Sequence, residues 1–121
     1  MNKVTVVGAT TWGTTLAIIT ARKGIPVTLL VRSQEEAQRL QSDRENRRLL
    51  PGFPFPEEMD ICADPQEALK NTRMAILAVP SSSFRDNIRR IRDYFDGAPA
   101  IMSATKGLEM ESGKRMSQVL Q

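Results

Sequence analysis

Gly8-Ala9-Thr10-Thr11-Trp12-Gly13 follows directly on the apolar run Val4-Thr5-Val6-Val7, and residues of those types in that order can hold a pyrophosphate. Gly8 can take the dihedrals of a tight strand-to-helix turn, and Gly13 lets the helix pack closely on the strand. The first helical turn then offers unpaired N–H groups and a positive dipole end to an anion. About twenty residues on, Val31-Arg32-Ser33 stands where a dinucleotide's ribose would be read. An acidic residue there suits the 2′-hydroxyl of NAD, whereas Arg32 can pair with the 2′-phosphate of NADP or stack on adenine, and Ser33 can add a hydrogen bond. A third position is Lys106, in Ser103-Ala104-Thr105-Lys106-Gly107-Leu108-Glu109. A compact ammonium on a turn after a strand can hold a phosphate or hydroxyl and polarise a carbonyl. A solvated arginine and an ordinary surface lysine are the plain alternatives at these last two positions.

The elements that must carry these residues alternate in type. Residues 3–7 and 26–31 read as parallel strands too apolar to be half exposed, and residues 74–79 as the clearest central strand. A helix carrying Trp12, Leu16, Ile19 and Ala21 at helical spacing runs up to Gly24, a natural stop. Ser33 is the expected cap of a second helix through Leu40. Residues 44–57, with Pro51, Gly52, Pro54 and Pro56, are expected to be irregular. A short strand near 59–63 precedes a helix start at Asp64-Pro65. After Ala78-Val79-Pro80, serines 81–83 can cap a helix whose stripe is Phe84, Ile88, Ile91 and Phe95. Arg85, Arg89, Arg90 and Arg92 lie mostly off that stripe and read as a solvated face. A last strand at 100–103 leads to the Lys106-Gly107 turn and a helix from about Ser112. The order predicts an α/β fold, a Rossmann-like doubly wound parallel sheet in a single domain, with ligands bound past the carboxyl ends of the strands.

Composition removes whole classes of chemistry. The 121 residues include no histidine and one cysteine, Cys62, so a zinc site or a histidine-based triad cannot be built from this chain. No metal site and no internal disulfide are expected, and Cys62 reads as a small core or strand-edge residue of a cytoplasmic protein. No apolar run is long enough to span a membrane. The formal net charge of +3 can attract anionic ligands but is no nucleic-acid signature.

Four segments together resemble one family. Gly8-Ala9-Thr10-Thr11-Trp12-Gly13-Thr14 resembles the G-x-G-S-W-G-T/S of NAD(P)-dependent sn-glycerol-3-phosphate dehydrogenases. Asn46-Arg47-Arg48-Leu49-Leu50-Pro51-Gly52 is similar to their N-x-x-Y-L-P-G loop. Ala78-Val79-Pro80-Ser81 with Arg85 resembles A-V-P-S-x-x-x-R, and residues 103–109 match S-x-x-K-G-[IL]-E. Two positions depart from the pattern: Thr10 replaces the middle glycine, placing a Cβ where the pyrophosphate normally approaches, and Leu49 replaces the tyrosine.

The resemblance implies hydride transfer between NAD(P)H and dihydroxyacetone phosphate, giving sn-glycerol 3-phosphate. It implies a cofactor set of Gly8, Thr11, Trp12, Gly13, Arg32, Ser33, Pro80 and Lys106, with Lys106 also touching substrate. Arg32 favours NADP, or dual use, over strict NAD. The family's proton-transferring lysine lies in a C-terminal helical domain outside these residues. No catalytic residue is therefore expected in this chain, which is read as a cofactor domain truncated from a longer two-domain enzyme, a homodimer when complete. Alone, it is expected not to turn over substrate. The rival expectation is a degenerate Rossmann module that binds partners without chemistry. A third, nucleic-acid binding through Arg44, Arg47, Arg48 and the later arginines, would require steeply salt-dependent affinity, and none is expected.

Overall fold

The computed structural model describes residues 3–80, 82, 84–94 and 100–103. Five strands form one sheet: β1 (Lys3–Val7), β2 (Val27–Leu30), β3 (Met59–Cys62), β4 (Thr72–Leu77) and β5 (Ala100–Ser103). Their spatial order is β3-β2-β1-β4-β5, and every pairing is parallel. The helices are α1 (Thr11–Arg22), α2 (Gln34–Asp43), the short α3 (Pro65–Ala68) and α4 (Phe84–Ile91), the last followed by a 3₁₀ turn at Arg92–Tyr94. The doubly wound α/β sheet expected from the sequence is the one observed.

Alternation along the strands explains why those runs carry apolar residues at consecutive positions. Val6, Leu29 and Ile76 share one core cluster with Ala17, Ile18 and Ala21 of α1 and Ala37 and Leu40 of α2. Their neighbours Val7, Leu30 and Leu77 share the other with Ala68, Leu69, Phe84 and Ile91. Successive side chains point to opposite faces, so a sheet covered on both sides needs apolar residues at both parities. All four residues of β2 are buried.

Local signals set the helix ends. Thr10, Ser33 and Asp64 each cap a helix by accepting a backbone N–H, from Gly13, Glu36 and Gln66 respectively. Past α1, Gly24 has a positive φ of 83°, and its N–H closes on Ala21 O. The observed strands are shorter or shifted by one or two residues at 26–31 and 74–79. The β4 ladder nonetheless continues one residue past its end, because Ala78 N donates to Val7 O at 2.9 Å. Residues 44–57 are irregular apart from turns. Arg44 organises them: its guanidinium donates to Pro56 O and Met59 O and lies 5.8 Å from the Phe55 ring centre.

The apolar spacing along α1 does not mark its buried face, since Trp12 and Ile19 are 52% and 47% exposed. The inward face of α1 is Gly13, Thr14, Ala17, Ile18 and Ala21, all but Ile18 small residues that let the helix lie close to the sheet. Nor is Arg90 a solvated arginine. Its guanidinium reaches back to Val31 O at 3.2 Å and Ala63 O at 2.8 Å. Arg89 and Arg92 are exposed as expected. Phe95, the serines at 81 and 83, the 104–107 turn and the helix from Ser112 lie outside the described residues.

Candidate dinucleotide site

The chain runs from β1 to β2 to β3 on one side, then returns to lay β4 against the other side of β1. That reversal opens a crevice at the carboxyl ends of β1 and β4, the position where doubly wound sheets bind ligands. Val7, Leu30 and Leu77 are in register there, so the turns that follow them converge.

Gly8 leaves β1 with φ +110° and donates to Leu30 O at 3.0 Å. A Cβ at this position would stand 2.7 Å from Ala78 O and 2.9 Å from Val79 Cγ1, so both conformation and space require glycine. Gly13 is equally constrained, since a Cβ would collide with the Gly8 carbonyl oxygen and approach Ala78 Cβ to 3.0 Å. Between the two glycines, Thr10 is extended at φ −72°, ψ 170°. Thr11 and Trp12 are exposed and open α1. No acidic residue lies in that first turn, leaving the positive end of the helix dipole uncompensated and suited to an anion.

A cavity of about 190 Å³ lies beside the turn. Gly8, Ala9 and Thr10 line it with Val79 and Pro80 after β4, Arg32 after β2 and Leu49 from the irregular loop. A smaller cavity of about 170 Å³ shares Arg32 and Asn87 with it and adds Asp86 and Arg90. The structure therefore brings Gly8, Arg32 and Pro80 together. Gly13 stands behind the turn as a packing residue. Ser33 is exposed, and its hydroxyl oxygen already accepts Glu36 N–H at 3.2 Å, leaving its own O–H to donate. Lys106 lies outside the described residues.

Two residues that support this site escaped the sequence reading of roles. Asn46, only 3% exposed, holds the 44–57 loop to the glycine turn. Its Nδ2 donates to Ala9 O at 3.2 Å and Thr14 Oγ1 at 3.0 Å, and its Oδ1 accepts Leu49 N–H at 3.3 Å. Arg90 ties α4 to the backbone just before Arg32 and just after β3. Asn46 had a signal in the sequence, an amide within the loop motif, but its partners are 32 and 37 residues away. Arg90 had none, since hydrophobic periodicity places it off the core stripe. Among the described residues, no three His, Cys, Asp or Glu side chains gather as a metal site, and no helix is long and apolar enough to cross a membrane.

Comparison with known proteins agrees with this geometry. The chain is 42% identical over 117 residues to glycerol-3-phosphate dehydrogenase (NAD(P)+) of Chlorobium limicola, covering 97% of this chain and 35% of that protein. It is 44% identical over 121 residues to the enzyme of the same name from Dehalococcoides mccartyi, covering 99% and 34%. The chain thus spans about a third of the length of these relatives. The crystal structure of glycerol-3-phosphate dehydrogenase from Coxiella burnetii superposes with a TM-score of 0.91 at 32% identity, over 98% of this chain and 36% of that one. The profile described as NAD-dependent glycerol-3-phosphate dehydrogenase N-terminus matches residues 3–121. With the glycine turn, the reversal of strand order and that match in agreement, the chain belongs to the NAD-dependent glycerol-3-phosphate dehydrogenase N-terminal family.

Proposed function

We propose that this chain is the NADP- or NAD-holding domain of a glycerol-3-phosphate dehydrogenase. The observation that carries the reading is the convergence of the glycine turn, Arg32 and Pro80 on one cavity at the strand-order reversal. The first turn of α1, with Thr11 and Trp12, receives the pyrophosphate. Arg32 and Ser33 hold the adenosine-phosphate end, and Pro80 forms the opposite wall. Lys106 contacts both cofactor and substrate. When bound, the reduced cofactor supplies the hydride that converts dihydroxyacetone phosphate to sn-glycerol 3-phosphate.

The chain's own part is to bind and orient, because the proton-transferring lysine and most substrate-phosphate contacts belong to a further helical domain. These 121 residues alone are inactive, and the complete enzyme is a cytoplasmic homodimer acting on a small phosphorylated substrate. Titration with NADPH and NADH, followed by the fluorescence of Trp12, tests the reading. Trp12 is the only tryptophan and is half exposed beside the turn. Saturable quenching, at equal or tighter affinity for NADPH, is expected. A folded sample that binds neither dinucleotide by calorimetry would overturn the assignment in favour of a module without cofactor.

A further inference from the structure

Thr10 occupies the position at which the fingerprint has its middle glycine, and its side chain has a defined task. The Thr10 hydroxyl accepts the Gly13 N–H at 3.0 Å and donates to Ala78 O at 2.7 Å. One hydroxyl thus fills a donor and an acceptor role together. Ala78 is itself fastened to β1, through its N–H to Val7 O, and its carbonyl oxygen is the atom nearest the space kept open at Gly8. Thr10 therefore joins the two walls of the cavity, the turn after β1 and the segment after β4. The extended backbone at Thr10 requires no glycine.

We propose that Thr10 is a positioning residue: its hydroxyl locks the glycine turn onto the end of β4, holding the Gly13 amide inside the protein. The amides of Thr11 and Trp12, for which the described residues supply no internal acceptor, are left to face a phosphate. The cofactor part of this inference rests on the function proposed above; the lock itself rests only on the two hydrogen bonds. In place of the backbone freedom that glycine brings, this chain has a side-chain bolt that presets the width of the cavity. Preset donors cost a ligand less ordering on binding.

Two variants separate the hydroxyl from the shape of the side chain. Thr10→Val keeps the volume and removes both hydrogen bonds; Thr10→Ser keeps the hydroxyl. Hydrogen exchange at the Gly13 amide reads the lock without any ligand. Exchange at least about tenfold faster in Thr10→Val, with Thr10→Ser close to the parent, is expected for an amide that loses its internal acceptor. NADPH affinity is expected to fall about five- to tenfold in Thr10→Val and to stay within about twofold in Thr10→Ser. Unchanged Gly13 exchange in a folded Thr10→Val protein overturns the lock. Equal NADPH affinities across the three proteins overturn its role in binding. Failure of the parent chain to bind either dinucleotide instead refutes the functional reading and with it the binding role, while the Gly13 comparison still decides the lock.

Discussion

Arg32 and Lys3 stand at opposite ends of the sheet and show how much a single side chain's setting decides. Arg32 is exposed, lines both cavities and follows a strand end anchored by Val31 N–H to Cys62 O. A guanidinium is able to pair with a phosphate bidentately, a charge-assisted contact of about 1.5–3 kcal/mol, and Arg32 is proposed above to do so. Replacing Arg32 with Asp is expected to weaken NADPH binding at least about tenfold relative to NADH, measured by parallel titrations; an unchanged ratio would remove Arg32 from the 2′-phosphate site. Lys3 is half buried, its ammonium donating to Thr28 Oγ1 at 2.8 Å and Ala68 O at 2.7 Å. Burial lowers its pKa below the ordinary 10.5, although the nearby Cys62, Asp60 and Glu67 oppose the shift. A lysine with a lowered folded value binds fewer protons in the native state than in the unfolded one. The burial penalty is therefore present at neutral pH and is relieved as pH rises from the lowered value to 10.5. Relative to Lys3→Met, the parent should gain stability across that interval and show no trend below it, as read from denaturant melts at several pH values.

At the scale of elements, the glycine turn is held by parts that come from elsewhere in the chain. Asn46 bonds it from the irregular loop, so Asn46→Ala leaves Ala9 O, Thr14 Oγ1 and Leu49 N–H without this partner. A loss of about 2 kcal/mol is expected from unmatched buried polar groups, read as a lower denaturant midpoint at unchanged slope. On the other sheet face, Phe84 is fully buried at the start of α4. Its truncation to alanine should cost about 3–5 kcal/mol through lost burial and the cavity left behind. The same melts check this, and a loss below about 1 kcal/mol would mean that α4 contributes little to the core. α4 also carries Arg90, which holds the carboxyl-end backbone of β2 and β3 in place. Packing of one helix thus reaches the cavity lining through a half-buried arginine.

For the whole molecule, the sheet order brings three loops far apart in sequence to one crevice, and a ligand bridging them stabilises the fold as a unit. A ligand that binds only the native state adds about 2.7 kcal/mol at a hundred times its Kd. NADPH at that concentration is therefore expected to raise the melting temperature by several degrees, and sn-glycerol 3-phosphate alone to raise it little. An equal rise with both would place the substrate phosphate on this domain, against the division of labour proposed above.

The amino-acid sequence alone determined the class of fold, the strand and helix order through residue 94, the capping residues Ser33 and Asp64, and the glycine turn. These are local properties: turn dihedrals, capping hydroxyls and apolar runs act within a few residues. The motifs pointed to Gly8 and Pro80 and the strand-end position to Arg32, three residues that line one cavity. Helical spacing did not reveal the inner face of α1, where close approach to the sheet selects Gly13, Thr14 and Ala17 over the more hydrophobic Trp12 and Ile19. Likewise, an arginine such as Arg90 reads as solvated until a backbone 59 residues away presents it with carbonyl oxygens. Thr10 illustrates the divide most clearly. In sequence it is a departure that crowds a phosphate; in the fold its hydroxyl meets Ala78, 68 residues distant, and that meeting exists only because β4 returns to lie beside β1.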